Sequence, residues 1–393
     1  MCPFLFIAFQ PRGRFDKSLS LKEETTMKML MLTMSALLAL AFSSSTVLAQ
    51  DEDSQEEVQQ SPSDNTVEQW SLFHRRDAEQ GGDVRGWLQM GYHNRSNGGF
   101  NQHPDRLNVH QLWLEFSHLA VDEGEGLNLG YHMDLMYGVD ASETQSFGNN
   151  SGKFDFQNGL DHGIYGWAIP QLYAEALVGE MEVMVGHFSS PLGVERVAAP
   201  SNIFYSHSLT MYNTAPRTHT GVMVTKPVGD VQVYLGWTLG WDSGFDQLGS
   251  GSSGLGGFSK QVSEKVGFRY MTSFGDLGHR GVGYTHSIVA DVNLGERLTY
   301  IFQSDYANVS SASDSSDDIG INNYLTYQLN EEWLAASRLE WWRDGHTSNY
   351  SVTAGLNWKA GSNLTIRPEI RFDWTPETDQ DETFVGIDAI LVF

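Results

Sequence analysis

The stretch 363–374, NLTIRPEIRFDW, decides the fold. Drawn out as a strand, it puts Leu364, Ile366, Pro368, Ile370, Phe372 and Trp374 on one side and Thr365, Arg367, Glu369, Arg371 and Asp373 on the other. One side is wholly apolar, the other almost wholly charged. In a soluble sandwich the charged side meets bulk water. In a membrane barrel it meets a wet lumen, where opposite charges pair across neighbouring strands. Pro368 lacks the amide that a sheet ladder needs, which predicts a bulge there.

The same period of two runs outward from this segment. In 350–359, Tyr350, Val352, Ala354, Leu356 and Trp358 would face lipid, opposite Ser351, Thr353, Gly355, Asn357 and Lys359. In 231–241 the lipid face would carry Val231, Val233, Leu235, Trp237, Leu239 and Trp241. In 127–137 it would carry Leu127, Leu129, Tyr131, Met133, Leu135 and Tyr137, opposite Asn128, His132 and Asp134. Tyr and Trp recur near segment ends, as an interfacial belt requires. At the chain's end, Val385, Ile387, Ala389, Leu391 and Phe393 share one face. An alternating last strand that closes on an aromatic residue, here Phe393, resembles the signal read by the outer-membrane assembly machinery.

The connections offer an independent test. Short turns are expected at 121–125, 178–180, 227–230, 262–264, 293–296, 330–331 and 360–362. Longer loops are expected at 94–108, 138–167, 189–217, 241–252, 274–281, 308–317, 344–349 and 375–383. Short and long alternate strictly, as in barrels with short periplasmic turns and longer outer loops. The pattern implies about sixteen strands, one of them a Gly-rich segment near 253–261, and a barrel of that size leaves an aqueous channel. The predicted fold is all-β: a transmembrane, antiparallel, up-and-down barrel spanning 84–393.

Composition agrees. Of 393 residues only 19% are charged, yet 40% are hydrophobic, with 40 Gly, 15 Tyr and 11 Trp. That balance suits an apolar outer band with aromatic girdles. The formal charge of −25, from 24 basic and 49 acidic residues, argues against a nucleic-acid partner, which calls for a basic stripe.

Met27 to Ala49 read as a secretory signal. Lys28 supplies the positive start, Met29 to Phe42 an apolar run too short to span, and Val47 and Ala49 the small residues before cleavage at Gln50. Met27 is the predicted start, 1–49 the predicted leader, and 50–83 a predicted acidic, flexible periplasmic tail. The single cysteine, Cys2, falls in the leader. No other segment approaches eighteen consecutive apolar residues, which excludes a helical membrane protein. Bacterial outer membrane is the predicted location, with outer-membrane lipid and the assembly machinery as partners.

Residues 185–246 read VGHFSSPLGVERVAAPSNIFYSHSLTMYNTAPRTHTGVMVTKPVGDVQVYLGWTLGWDSGFD. Gly186, His187 and Phe188 end a strand that leads to the turn Pro191, Leu192 and Gly193. Asn202, Phe204, Tyr205, Ser206, His207 and Ser208 follow in a loop, then His219, Thr220 and Gly221, then Gly240, Trp241 and Asp242. These motifs resemble the OmpL-like β-barrel porin family of the porin-2 type; elsewhere the similarity is one of strand pattern. The resemblance implies an outer-membrane pore and names no substrate.

Loop 189–217 carries Pro191, Pro200 and Pro216 with Ile203, Phe204 and Tyr205, too apolar a set for free exposure. It is expected to fold into the barrel, so that Glu195, Arg196, His207 and Arg217 line a constriction. The alternative is a loop packed over the rim or between barrels. Asp134, Glu175, Lys265, Arg269, Asp305, Arg338, Glu340, Arg367, Glu369, Arg371 and Asp373 are expected on the lumen wall, as a transverse field, as a knit inner wall, or both.

The thirteen histidines show no H-E-x-x-H and no paired ligand spacing on one strand face, so neither a metal nor any other cofactor is expected. His207 between Ser206 and Ser208 makes no catalytic triad by adjacency, and no enzyme activity is expected. The predicted function is passive diffusion of small hydrophilic solutes or ions. The alternative is a silent barrel whose long loops serve adhesion or recognition; the tail is too short for the plug domain of a TonB-dependent receptor. A homo-oligomer is left open.

Overall fold

A computed structural model describes residues 83–120, 127–146, 161–245, 251–310 and 315–393, all within one compact unit, Thr66–Phe393. The predicted leader 1–49 and the tail as far as residue 82 lie outside the described residues, as does the turn expected at 121–125. Alternating side chains build seventeen antiparallel strands. They are β1 Asp83–His93, β2 Leu107–His118, β3 Leu127–Gly138, β4 Gly166–Ala168, β5 Leu172–Val178 and β6 Met181–Ser189. Then come β7 Thr218–Val228, β8 Val231–Trp241, β9 Ser252–Ser263, β10 Val266–Asp276, β11 Val282–Asn293 and β12 Leu298–Ser310. The last are β13 Ser315–Gln328, β14 Trp333–Asp344, β15 Thr347–Lys359, β16 Leu364–Thr375 and β17 Gln380–Val392.

Each strand pairs with its neighbours in sequence, and β17 returns to β1, from Trp87 opposite Val392 to His93 opposite Gly386. The sheet therefore has no open edge, the condition for a β-structure in lipid. β4 and β5 both pair with β3 and form a single stave, broken at Ile169, Pro170 and Gln171, where Pro170 has no amide for the ladder. The barrel thus has sixteen staves, the Gly-rich β9 among them.

The two-sided pattern is real. On β16, Arg367, Glu369 and Arg371 are buried inside the barrel while Ile370 is 52% and Phe372 41% exposed on its surface. The seam closes at Phe393, whose amide and carbonyl exchange hydrogen bonds of 2.9 Å with those of Gly86. A Cβ at Gly86 would lie 2.4 Å from the Trp113 carbonyl oxygen and 2.8 Å from the Phe393 ring.

Several expectations need correction. Trp241 does not face lipid. The β7–β8 register shifts between His219 and Gly221, with Gly240 at φ +96°, and the extra residue turns Trp241 inward, where it is 2% exposed. Pro368 marks no bulge: Arg367 and Pro368 lack partners on β15, but Gly355 opposite Glu369 and Trp358 opposite Ile366 keep one register. Loops 344–349 and 375–383 shrink to Gly345–His346 and residues 376–379, because polar residues such as Ser348 and Glu382 continue the ladders beyond the lipid band, where alternation of polarity stops. Outer loops in that half are therefore as short as the turns at the opposite rim.

Gly86→Val should strain the closing seam by about 1–3 kcal/mol, as overpacking does. The expected result is a lower urea midpoint for the refolded barrel. Gly361→Val, with open space around its Cβ, should leave the midpoint unchanged.

Candidate pore constriction

Residues 190–217 leave β6 at the rim opposite the termini and reach across the interior to β14 and β16 on the far wall. A chain crossing a lumen carries bare amides and carbonyls, and each buried one needs a partner. The inward charges supply them. Carboxylates take the amides: Glu369 accepts from the nitrogens of Tyr205 (2.8 Å) and Ser206 (3.1 Å), and Glu340 from those of Leu209 (3.0 Å) and Thr210 (2.8 Å). Guanidiniums take the carbonyls. Arg338 donates to Ser206 (2.9 Å), Arg367 to Asn202 (2.6 Å) and Ala199 (3.1 Å), and Arg371 to His207 (2.6 Å). On the other walls Arg269 donates to the Gly193 carbonyl (2.6 Å), and the Gly193 amide donates to Ser287 Oγ (3.0 Å). Gln111 of β2 binds both the Val197 carbonyl and the Ala199 amide.

Apolar side chains of the loop fill three pockets in the wall. Leu192 and Ala215 pack with Phe188, Met223, Leu255 and Met271. Val197, Ala199 and Met211 pack with Trp87, Trp113, Met136 and Ile390. Phe204 packs with Tyr324 and Ala336, with Arg338 5.3 Å above its ring. A cavity of about 20 Å³ between Leu192, Glu195, Arg196, Met211 and Gln303 has room for about one water.

The residues that resemble the porin-2 motifs direct this local fold. Gly193 turns at φ +71°, a conformation glycine adopts freely. Asn202 closes the loop on itself, accepting from the Arg196 amide (2.8 Å) and donating to its carbonyl (2.7 Å). Ser208 caps the short helix Leu209–Asn213 through the Met211 amide (3.1 Å). Asp242, reached by the bulge in β8, accepts from the amides of Arg217 and Thr218 (both 2.9 Å) and clasps the loop's return. Phe188, Tyr205 and His219 are buried against or beside it, and Gly221 leaves only 2.1 Å from its would-be Cβ to the Trp237 carbonyl oxygen.

Of the four residues expected at the constriction, Glu195 is the most constrained. Its carboxylate meets Arg338 at 2.5 Å, the Tyr324 hydroxyl at 3.1 Å and the Ser208 amide at 2.7 Å. Burial pushes this carboxyl up, but Arg338, His207 and the Ser208 hydrogen bonds outweigh it and hold the group below its usual value. Burial, with Arg269 nearby, lowers Arg196 to about 10, and its guanidinium folds back onto the carbonyls of Leu192, Gly193 and Glu195. Burial also lowers His207, whose Nε2 sits 3.2 Å from the Arg196 carbonyl oxygen and whose Nδ1 has no partner. Arg217 lies at the loop's base, 3.4 Å from Glu143.

The wall residues divide. Arg269, Arg338, Glu340, Arg367, Glu369 and Arg371 hold the loop. Asp373 pairs with Arg371 (2.6 Å), Asp305 accepts from Gln303 (2.7 Å), and Glu175 accepts from the Ala120 amide (2.9 Å). Lys265 is off the wall: it is exposed in the turn between β9 and β10, because β9 runs on to Ser263. Asp134 meets His132 (2.9 Å) and Gln171 (2.8 Å). Glu115, opposite Asp134 on β2, adds a third group with metal-ligand atoms to a pair that already shares one face of β3. Gln171 donates to Asp134 and Arg85 to Glu115 at 2.5 Å, so hydrogen-bond donors already occupy the cluster.

Sequence reasoning missed a second anchor. The Tyr205 hydroxyl lies 2.6 Å from His110 Nε2 and 3.0 Å from His93 Nδ1, and His110 Nδ1 lies 2.7 Å from Asp140. A register shift in β2 turns both His110 and Gln111 inward. Two adjacent polar residues in an otherwise alternating strand were its only sequence signal.

Residues 82–393 match the family described as "Putative beta-barrel porin-2, OmpL-like". No curated protein matches the chain significantly. Similar solved structures include the anion-selective porin from Comamonas acidovorans, with TM-score 0.56 and 10% identity over 79% of this chain and 99% of that one. The outer membrane channel DcaP of Acinetobacter baumannii gives 0.55 and 11% over 80% and 99%. OmpT of Vibrio cholerae, folded in vitro and in trimer form, gives 0.55 and 10% over 79% and 99%. At such identities these likenesses speak for the fold, whereas the family match spans the whole barrel. The chain belongs to the OmpL-like β-barrel porin-2 family and is a porin of the bacterial outer membrane.

Proposed function

We propose that small hydrophilic solutes or ions cross this porin by passive diffusion, and that loop 190–217 sets the width of their path. The observation that carries this reading is the loop's attachment to opposite walls through Arg338, Glu340, Arg367, Glu369 and Arg371. A loop hung from one rim would sway; one bound along its length narrows the lumen to a defined shape. The same wall charges that bind it also leave a local field beside the path. A 480 Å³ recess near the terminal rim, lined by Gln232, Ser259, Gln261 and Asp291, gives a polar approach from that side. Signal cleavage before Gln50 and a periplasmic tail as far as residue 83 belong to the same reading, and intact mass of the exported protein should begin at Gln50. The trimeric form of the similar OmpT favours a homo-oligomer here too.

Arg338→Ala leaves Glu195 buried and unpaired, a change that costs about 3–5 kcal/mol in such sites. The loop should detach, and single-channel conductance in planar bilayers should rise. Arg338→Ala with Glu195→Ala removes both charges and should restore part of the native conductance. Unchanged conductance in the single variant would discard the constriction; an inserted but silent native barrel would favour the adhesion reading.

Acid should loosen the loop in two steps. His207 is lowered in the fold, so the folded form binds fewer protons there, and docking weakens as pH falls below about 6.5, its unfolded value. Glu195 is also lowered, so its contribution, present above about 4.3, is lost only as pH falls through its depressed folded value. Protease cleavage within 190–217, measured against pH, should show the first step in the native chain and lose it in His207→Gln.

A further inference from the structure

We propose that the outward face of β10–β14 packs against a second copy of this chain. The inference rests on the homo-oligomer reading and adds the face it uses. Thr272 of β10, His286 of β11, Ser304 of β12, Asn323 of β13 and Ser337 of β14 all point outward, since their neighbours Ser273, Thr285, Gln303, Asn322 and Arg338 are buried inside. These five polar residues stand four to seven residues from their strands' ends at the terminal rim. Ser304, Asn323 and Ser337 each stand four residues from an outward aromatic nearer the terminal rim, Tyr300, Tyr327 and Trp333 respectively. Four residues span about 13 Å of strand, well inside an apolar band about 25 Å tall. Elsewhere among the described strands, outward positions away from the rims are apolar, aromatic or glycine.

Hydrocarbon offers these groups nothing. An unpaired amide there is strongly unfavourable. The barrel satisfies part of the arc: Tyr300 donates to Asn323 Oδ1 (2.7 Å), Thr272 to the Thr285 carbonyl (2.7 Å), and Tyr270 meets His286 Nδ1. Asn323 Nδ2, His286 Nε2 and the hydroxyls of Ser304 and Ser337 remain for a partner outside the barrel. Together they include both donors and acceptors, so the arc complements a copy of itself, and no charged residue lies among them to repel it. Ala290, Ala335 and Ala354 beside the arc permit close approach. Five strands at about 4.8 Å make a face about 24 Å wide, hence roughly 600 Å² per partner over the apolar band. Two such faces reach the lower range of stable interfaces, about 1,200 Å² in total. Residues near a symmetry axis meet their own copies in a dimer and in a ring alike.

Single cysteines test the face in full-length chains carrying Cys2→Ser and purified in outer-membrane vesicles. With copper-phenanthroline or a short bis-maleimide, Ser304→Cys should give covalent dimers and Ile370→Cys, on the apolar side, should not. Asn323→Leu should weaken association by about tenfold, read by native mass spectrometry across concentration. An oligomer that cross-links through Ile370→Cys and not Ser304→Cys would overturn the face and keep the oligomer. A native chain that stays monomeric would overturn both.

Discussion

Every backbone amide and carbonyl that leaves bulk water in this protein has to be met by another protein group, and the architecture follows from that demand. The sheet meets it by returning from β17 to β1, with Phe393 and Gly86 locking the last rung. Loop 190–217 meets it differently, because no strand runs beside it. Its amides go to Glu340 and Glu369 and its carbonyls to Arg338, Arg367 and Arg371, so side chains replace a sheet neighbour. The alternating charges of the inner wall therefore serve as a template for an extended chain.

A template built from charges specifies position more than it adds stability. A buried ion pair such as Arg338–Glu195 recovers little beyond its desolvation cost, yet its loss with one partner left behind is severe. Such a pair allows few alternative loop positions, since a shifted loop leaves several charges unmet at once. Apolar contacts at Phe204, Leu192 and Val197 supply the hydrophobic driving force that the charges do not.

Much of this was legible in the sequence. The barrel, its size and the inward placement of Arg367, Glu369 and Arg371 follow from a period of two, which a strand expresses locally. What those residues hold was not legible, because their partners sit in a loop far away in sequence and bind through backbone atoms that carry no sequence signal. Trp241 and His110 were misplaced or missed for a related reason: one extra residue in β8 or β2 reverses the faces beyond it, and an alternation count assumes no such residue. Lys265 shows the limit at a strand's end, where an extension of a few residues moves a side chain from wall to turn.

The contrast between strands and loop also accounts for where the family's motifs lie. A lipid-facing position accepts any of several apolar residues, so a strand is specified by its pattern more than by particular residues. The loop has specific needs at specific places: a positive φ at Gly193, a cap at Ser208, a clasp at Asp242, and a hydroxyl at Tyr205 between two imidazoles. Few substitutes meet any of them. The recognisable motifs of the chain therefore gather where the backbone needs particular side chains, in the loop and at its two attachments to the wall.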